Sequence, residues 1–354
     1  MSADGWSVLV KGGAVVPTSP GSASTFLRST APGAYTTTRT VSGAASVLLW
    51  ERHLARLAES LQLLSAASPH HYPSIRQDLD VKRLVQPSVR VGLAEAMQRR
   101  RAEEEIALTV LLCGNKLIEA TAKTESGCEV YIHASNYNAV GEGKMPLAIN
   151  VAVMGPGRTL ARVKNSLWAS TRQVLERVRP AGTSEIILSN DGDSLLEGTL
   201  TNFFVVARRT RSMLKDTEDS VSTVGQEQSG SAWNDLEVQT APLQDGVLPG
   251  VIRSMVIEVC RESGIPLREV APSWRFCHTW REAFVTSSIR ILQPVVKIQM
   301  PTIRTFELSP WNLAENSWEH LKLEECGLVT RKIHELLIER AKEESISIAD
   351  ITGW

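Results

Sequence analysis

The sequence lacks several features that define whole classes of protein. No apolar run approaches the roughly 18 residues of a membrane span, so no transmembrane segment is expected. The five cysteines are an odd number, lie far apart and form no Cys-x-x-Cys pair, which favours a reducing compartment and no disulfide framework. The seven histidines show no metal-ligand spacing, so no metal is expected.

The N-terminal residues and the small net charge give further expectations about location and partners. The first 13 residues contain no long apolar run, so a secretory signal is not expected, and we expect a cytoplasmic protein with an organelle left open. The formal net charge is −1, which indicates neither a nucleic-acid nor an anionic-membrane partner. With 354 residues, the chain can form two domains and a substantial core.

Composition and hydrophobic periodicity divide the chain into parts. A cluster of Gly and Asn residues predicts the interdomain linker. A polar stretch without hydrophobic periodicity predicts an insertion. We expect this insertion to be a mobile surface segment. The predicted parts are an N-terminal α/β domain at 1–135, a linker at 136–146, a C-terminal domain at 147–310 containing the insertion 210–235, and a C-terminal helical extension at 311–354.

Periodicity also predicts the main helices and strands. Apolar residues spaced three and four apart predict helices, and short β-branched or aromatic runs predict strands. The predicted helices are 51–64, 88–105, 165–178, 251–263 and 328–344. The predicted strands are 34–41, 46–50, 106–113, 147–154, 185–188, 203–207, 282–286 and 294–298.

Three segments of the second half carry residues suited to chemistry. Lys164 lies between a predicted strand and a predicted helix, where its free amine could attack an aldehyde. Glu197 is followed by glycine between two apolar strands, where a carboxylate could stabilise a protonated ring nitrogen. Pro249 and Gly250 open directly into a helix, whose first free amides would suit a phosphate. Each segment alone is more typical of a residue with no chemical role.

Together, the order and spacing of these segments resemble one family. The blocks are Lys164, then Glu197-Gly198-x-x-x-Asn202, then Leu248-x-Gly250-Val251-x-Arg253, then Phe284-Val285-Thr286-Ser287-Ser288, with Gly33 to Arg39 and His53-Leu54-Ala55-Arg56-Leu57 in the first half. Over residues 13–298 the chain resembles the class IV aminotransferases that depend on pyridoxal 5′-phosphate (PLP), a group that includes D-amino acid and branched-chain aminotransferases and aminodeoxychorismate lyases. The stretch 239–253 also resembles a plant branch of that group.

The resemblance implies a fold and a set of roles. The fold is α/β (α+β), with a smaller N-terminal α/β domain, a larger C-terminal barrel-like domain and PLP in the cleft; a homodimer is implied as well. Lys164 corresponds to the Schiff-base lysine and proton shuttle, and Glu197 to the carboxylate at the pyridine nitrogen. The remaining roles are phosphate binding for Arg56, Val251, Ile252 and Ser288, packing against the cofactor ring for Leu248, and a place near the substrate for Tyr35.

The sequence departs from the family pattern around the substrate. After the strand 106–113, the chain lacks the Arg-x-His pair with which D-amino acid aminotransferases bind the substrate carboxylate. Arg39 is the candidate replacement, although its place on the strand could equally turn it towards a dimer interface. The tyrosine that branched-chain enzymes have shortly after the lysine is absent too. The partner of the PLP phenolic oxygen therefore stays open, with Arg158 as a candidate.

Three functions are compatible with this pattern. The first is transamination between an amino acid and a 2-oxo acid. The second is a lyase that releases pyruvate from aminodeoxychorismate, because the threonines 36–38 before Arg39 resemble the lyase version of this strand and suit a bulky ring. The third is a PLP-binding protein without turnover, against which the joint presence of Lys164, Glu197 and Arg56 argues. We expect an aminotransferase.

Overall fold

The computed structural model describes residues 5–69, 79–114, 127–138, 141, 143–209, 233, 235–302 and 317–353. Contacts within the chain define two compact units. Unit 1 comprises Met1–Lys144, Leu160–Val174 and Ile338–Trp354, and unit 2 comprises Met145–Thr159 and Leu175–Leu337. Within the described ranges, no helix is both long enough and apolar enough to cross a membrane.

Unit 1 contains an antiparallel seven-stranded sheet. Its strands are β1 (Ser7–Lys11), β2 (Ala14–Val16), β3 (Gly33–Val41), β4 (Ser46–Val47), β5 (Glu105–Gly114), β6 (Cys128–Tyr137) and β16 (Ile346–Ser347). They lie in the order β16-β4-β3-β5-β6-β1-β2. Alternation along β3 turns Thr36 and Thr38 to one face of the sheet and Tyr35 and Thr37 to the other.

The helices of unit 1 cover both faces of this sheet. They are α1 (Ala23–Ser29), α2 (Trp50–Ala67), α3 (Val81–Arg99), α4 (Trp168–Thr171) and α8 (Ile348–Thr352). The main core lies between the sheet and α2 and α3, whose buried leucines and valines recur at helical spacing. A smaller apolar cluster on the opposite face contains Phe26, Tyr35, Leu111 and Tyr131.

Unit 2 is built around a nine-stranded mixed sheet that closes on itself. Its strands are β7 (Ile149–Val153), β8 (Glu185–Ser189), β9 (Leu195–Gly198), β10 (Asn202–Arg208), β11 (Leu236–Thr240), β12 (Leu267–Glu269), β13 (Trp280–Ser287), β14 (Ile291–Pro301) and β15 (Trp318–Lys322). The order is β12-β11-β10-β13-β14-β7-β8-β9, and β15 pairs with β14. Because β9 also pairs with β10, through Glu197 and Asn202, the middle of the sheet is barrel-like.

The apolar residues of unit 2 pack on both faces of its sheet. Phe203, Val205 and Val285 belong to one core cluster. The next residues along the strands face the other way, where the rings of Phe204 and Phe284 stack 4.8 Å apart. The helix α6 (Val251–Glu262) contacts β13. Two further helices are α5 (Gln173–Arg177) and α7 (Leu328–Glu343). The chain passes from one unit to the other within each of them, after Val174 and after Leu337.

Helix α3 begins at Val81, about two turns before the start of the predicted helix 88–105. Pro87 lacks an N–H group and favours the end of a helix, but α3 runs through it from Val81 to Arg99. Val81, Val85 and Val89 are all buried and lie on one stripe on both sides of the proline. Burial of this continuous stripe offsets the lost backbone hydrogen bond, so the predicted helix start was wrong.

The predicted helix 165–178 was also wrong in its first half. Asn165 forms an isolated β-bridge with Ala34, and the Ser166 N–H donates to the Gly33 carbonyl at 2.9 Å. These backbone groups bond to β3 and cannot form the first turn of a helix. Only the short helices α4 and α5 follow.

Smaller differences concern strands. The predicted strand 46–50 ends at Val47, because Leu49 adopts the left-handed conformation at φ 50° and Trp50 begins α2. The periodicity did not predict β6, although it is a central strand with ten residues. Most residues of β6 are buried on both faces, so its sequence has no clear polar alternation.

The predicted contiguous domains differ from the contact-based units. Residues 160–174 and 338–354 belong to unit 1. The prediction assigned the first range to the C-terminal domain and the second to a separate extension. The insertion 210–235 lies outside the described residues except for Trp233 and Asp235, and part of the linker 136–146 lies outside them as well. The predicted character of the insertion therefore stays a prediction.

Burial of His133 should make the stability of the protein depend on pH. His133 is fully buried on the sheet of unit 1, stacked on Phe26, and neither ring nitrogen has a hydrogen-bond partner among the described residues. Burial lowers the pKa of His133 from 6.5 to about 4. The unfolded chain therefore takes up a proton at a higher pH than the folded chain does, and stability falls as the pH drops below about 6.5.

The expected size of this effect is about 2 kcal/mol between about pH 7 and about pH 5, at 1.36 kcal/mol per pH unit. Urea unfolding of the wild type and of His133→Phe at both pH values measures it, and the variant should lose that share of the pH dependence. The same substitution at the exposed His320 is the control. An equal pH dependence in the wild type and in His133→Phe would contradict the prediction.

Candidate functional site

The segment that carries Lys164 is fixed to β3 and α2 by its backbone. The Lys164 carbonyl accepts a hydrogen bond from the Tyr35 N–H at 2.9 Å, and its own N–H donates to the buried Ser60 hydroxyl of α2 at 3.2 Å. The Ser166 hydroxyl accepts from the Gly33 N–H at 2.9 Å. Upstream, Leu160 has a φ of 52°, which is uncommon for a residue with a side chain. The backbone of Lys164 is therefore held on both sides.

The side chain of Lys164 lies beside Tyr35. Its amino nitrogen is 4.8 Å from the centre of the Tyr35 ring, which suits a cation–π contact. Tyr35 is buried, whereas Lys164 is only half-buried. The structure thus brings together the predicted Schiff-base lysine and the aromatic residue predicted near the substrate.

Arg56 lies on α2 in a buried group of polar side chains. Its Nη2 donates to the Thr36 hydroxyl at 2.8 Å and lies 3.4 Å from Nδ1 of His53. The Thr36 hydroxyl is in turn 2.7 Å from the same Nδ1. His53 and Thr36 are fully buried, and Arg56 is nearly so. The Arg56 guanidinium therefore does not face solvent.

The electrostatic surroundings keep His53 neutral. Burial lowers the pKa of His53 well below 6.5, and the positive charges of Arg56 and Lys164 lower it further. A neutral imidazole has one acceptor nitrogen, and the arginine beside it can only donate. Nδ1 is therefore the acceptor. Sequence reasoning had named His53 within a motif but had given it no role.

In unit 2, Glu197 is a buried carboxylate surrounded by donors. One oxygen accepts from Arg158 Nε at 2.8 Å. The other accepts from the Leu248 N–H at 2.9 Å and lies 3.3 Å from the Asn202 amide nitrogen. Every one of these contacts suits the ionised form, which only accepts hydrogen bonds. The Asn202 amide also donates to the Leu248 carbonyl at 3.0 Å, which fixes the turn that precedes α6.

Arg158 is the partner of Glu197, a contact that the sequence did not predict. The two side chains are 7% and 3% exposed, so the pair is buried. The sequence offers Arg158 as a candidate for the PLP phenolic oxygen and, less securely, as a cation for a substrate carboxylate, but not as the partner of Glu197. The two residues are 39 positions apart, and no local spacing connects them.

The N-terminus of α6 presents backbone amides without a side-chain cap. Gly250 is the N-cap residue, and no side chain bonds to the first turn. A Cβ atom at Gly250 would lie 2.0 Å from the Asn202 amide oxygen, so only glycine permits this close approach. The N–H groups of Val251 and Ile252 and the helix dipole there favour an anion.

The predicted phosphate ligand Ser288 lies in the turn between β13 and β14 and is half-buried. This turn leads to Ile291, whose φ of 61° is strained for a β-branched residue. Two residues before Ser288, Thr286 pairs directly with Asn202 across the sheet, so both side chains lie on one face. The Thr286 hydroxyl is buried and has no hydrogen-bond partner among the described residues.

Arg39 lies on the same face of β3 as Tyr35. Its guanidinium lies 5.6 Å from the centre of the Tyr137 ring, and its Nη1 donates to the Thr40 carbonyl at 3.1 Å. The residues corresponding to the missing Arg-x-His pair begin at Gly114, and 115–126 lie outside the described residues. In the described ranges, no three His, Cys, Asp or Glu side chains converge as metal ligands would.

The predicted site residues therefore fall into two described groups. Unit 1 places Lys164 beside Tyr35 and bonds its backbone to α2, the helix that carries Arg56. The contacts that the sequence did not reveal are Ser60 with Lys164, and Thr36 and His53 with Arg56. Unit 2 brings together Glu197, Leu248 and the first turn of α6, with Arg158 and Asn202 as additional partners.

Comparison with known proteins identifies the family. A profile of the family described as amino-transferase class IV matches residues 33–298. The chain therefore belongs to the class IV aminotransferases. A search of curated proteins found no match.

Solved structures show the fold. A hypothetical aminotransferase from Mycobacterium tuberculosis in its PLP-bound form is 16% identical with a TM-score of 0.62, covering 96% of this chain and 100% of that one. A branched-chain aminotransferase from Thermoproteus uzoniensis with norvaline is 18% identical with a TM-score of 0.59, covering 95% and 96%. A fold IV transaminase from Curtobacterium pusillum is 15% identical with a TM-score of 0.58, covering 94% and 99%. The predicted α/β class IV fold is confirmed.

Proposed function

We propose that this protein is a PLP-dependent aminotransferase that transfers an amino group between an amino acid and a 2-oxo acid, with Lys164 as the Schiff-base residue. The observation that carries the proposal is the buried carboxylate of Glu197, whose two oxygens accept hydrogen bonds from Arg158 and the Leu248 N–H. Desolvating a carboxylate is costly unless it is paired. A buried, ionised carboxylate in this family supports contact with a protonated pyridine nitrogen.

The other described residues fit the remaining parts of PLP. Arg56 supplies a guanidinium, which binds phosphate bidentately. The amides of Val251 and Ile252 at the N-terminus of α6 supply further phosphate donors, and the Ser288 hydroxyl another. Leu248 packs against the cofactor ring in this proposal. Its backbone N–H is bonded to Glu197, which would place the ring and its nitrogen partner together.

When bound, PLP supplies the electron sink that lets an amino acid lose its Cα proton. Lys164 then accepts and returns that proton as general base and acid. Tyr35, whose ring lies 4.8 Å from the Lys164 amine, restricts the positions that this amine can take. Glu197 keeps a negative charge at the ring nitrogen. One PLP molecule must contact Arg56, Lys164 and Glu197 for this assignment to hold. A crystal structure with bound PLP tests that requirement.

The lyase alternative receives less support. Release of pyruvate from aminodeoxychorismate requires cations for two carboxylates, because an unpaired buried charge is costly. The two arginines considered for these carboxylates are Arg39 and, less securely, Arg158. Arg39 already lies over the Tyr137 ring, and Arg158 pairs with Glu197. The threonines that resemble the lyase pattern are bonded as well: Thr36 to Arg56 and Thr38 to the Leu48 carbonyl.

The expected result with substrates distinguishes the two activities. Purified protein with PLP should convert at least one common L- or D-amino acid, seen as a change of the cofactor spectrum to the pyridoxamine form. It should release no pyruvate efficiently from aminodeoxychorismate. Rapid pyruvate release without the pyridoxamine form for any amino acid tested would reverse this assignment.

We also propose a homodimer, on the basis of the family resemblance. Sedimentation at micromolar concentration measures the oligomeric state, and a monomer alone would contradict the proposal.

A further inference from the structure

Arg56 belongs to a buried group of three polar side chains that contact one another. Thr36, His53 and Arg56 form a triangle in which each side chain lies within hydrogen-bond distance of the other two. Thr36 and His53 are 0% exposed and Arg56 is 7% exposed, so all three are desolvated. Buried polar groups of this kind stabilise one arrangement only when their donors and acceptors match.

The donors and acceptors of this triangle match in one way. A guanidinium has no acceptor, so Arg56 Nη2 donates both to the Thr36 oxygen and towards His53 Nδ1. The Thr36 hydroxyl, having accepted from Arg56, donates its own hydrogen to Nδ1 at 2.7 Å. Nδ1 is therefore the acceptor in this arrangement, and the imidazole proton lies on Nε2, which is buried and has no hydrogen-bond partner among the described residues.

We propose that His53 is a positioning residue that, through its unprotonated Nδ1 and the Thr36 hydroxyl, holds the Arg56 guanidinium in the orientation that binds the phosphate of PLP. This inference rests on the proposed function, because it assigns the phosphate to Arg56. His53 acts through Arg56 and not on the cofactor itself.

The neutrality of His53 supports this role. A protonated imidazole would turn Nδ1 into a donor opposite two other donors and add a like charge beside Arg56. Burial and the charges of Arg56 and Lys164 lower the pKa of His53 well below 6.5, so the acceptor form is present at neutral pH. The Arg56 guanidinium can therefore keep donating towards the neutral His53 imidazole at neutral pH.

The spacing along α2 connects this group with Lys164. His53, Arg56 and Ser60 are three and four residues apart and share one face of the helix. Ser60 accepts the Lys164 N–H at 3.2 Å. One helix face therefore holds both the proposed phosphate-binding residue and the backbone of the proposed Schiff-base residue.

Comparison of PLP with pyridoxal, which lacks the phosphate, tests the inference. The dissociation constants of both are measured by titration of the Schiff-base absorbance for wild type, His53→Phe, His53→Asn and Thr36→Val. His53→Phe should weaken PLP binding about tenfold or more and leave pyridoxal binding nearly unchanged, because a hydrogen bond to a charged group is lost. Thr36→Val should act in the same direction.

His53→Asn should restore much of the selectivity for PLP over pyridoxal, because its amide oxygen can occupy the position of Nδ1. His133→Phe is the matched control: the same substitution at a buried histidine of unit 1 that has no bond to Arg56. It should leave the selectivity unchanged. In an Arg56→Gln background, adding His53→Phe should cause no further loss of selectivity, because the two residues act as one unit.

Two results overturn the inference alone. One is equal weakening of PLP and pyridoxal binding by both His53→Phe and Thr36→Val, which indicates a role in folding only. The other is an additive loss in the double variant with Arg56→Gln. A wild-type protein that shows no Schiff-base absorbance with PLP would instead overturn the proposed function, and the inference with it.

Discussion

Replacing Lys164 by alanine should abolish the Schiff base with PLP and reduce transamination by roughly 10⁴-fold or more, because the variant loses both the amine that bonds the aldehyde and the general base. PLP should still bind through its phosphate. The measurement is the absorbance of the protein with PLP, together with the rate of amino transfer. The backbone of Lys164 bonds to Tyr35 and Ser60, and alanine keeps those bonds, so folding should be preserved.

Lys144→Ala is the matched control for this variant, because Lys144 is an exposed lysine in the same unit. It should keep the wild-type spectrum and rate. If the Schiff-base spectrum of Lys164→Ala equalled that of the wild type, another lysine would be the attachment point and the proposed role of Lys164 would be wrong.

Replacing Glu197 by glutamine should leave PLP bound but slow turnover about 10²- to 10³-fold, the size expected when one preorganised electrostatic contact is removed. A neutral amide no longer favours a protonated pyridine nitrogen, so the electron sink weakens. The variant also removes the charge of the carboxylate that pairs with the buried Arg158. Breaking a buried ion pair from one side costs about 3 kcal/mol or more of unfolding free energy.

A second buried glutamate separates the two effects. Glu185 is 1% exposed and accepts hydrogen bonds from Thr199 and Thr201, in the turn between Glu197 and Asn202. Glu185→Gln should lower the urea midpoint and change turnover far less than Glu197→Gln does. Comparable slowing by both variants would refute a specific electronic role for Glu197, and full activity of Glu197→Gln would refute it directly.

The pattern of local spacing predicted much of the first unit. Leucines three and four residues apart predicted α2 close to its actual bounds, Trp50–Ala67. The same pattern placed Arg56 on that helix, but it could not distinguish a buried guanidinium from an exposed one. The difference arises from Thr36 and His53, because Thr36 comes from β3 and contacts Arg56 only after the strand packs on the helix.

Prediction was weakest where a backbone bonds to a distant segment. The residues 165–178 have the composition of a helix, but Asn165 and Ser166 bond to β3. At α3 the opposite happened: Pro87 indicated a boundary that the buried valine stripe overrides. In both cases tertiary contacts outweigh local preference, because one turn of helix contributes little free energy by itself.

The sequence by itself determined the family, through the order and spacing of Arg56, Lys164, Glu197 and the Pro249-Gly250 turn, because residue type and spacing are properties of the chain. Only the tertiary structure decided how these groups are held. Glu197 receives its hydrogen bonds from Arg158 and Leu248, which lie 39 and 51 positions away. Such partners depend on strand register and on the packing of strand against helix, which no local pattern specifies. Burial then favours the arrangement in which the Glu197 carboxylate is paired, because an unpaired buried charge is costly.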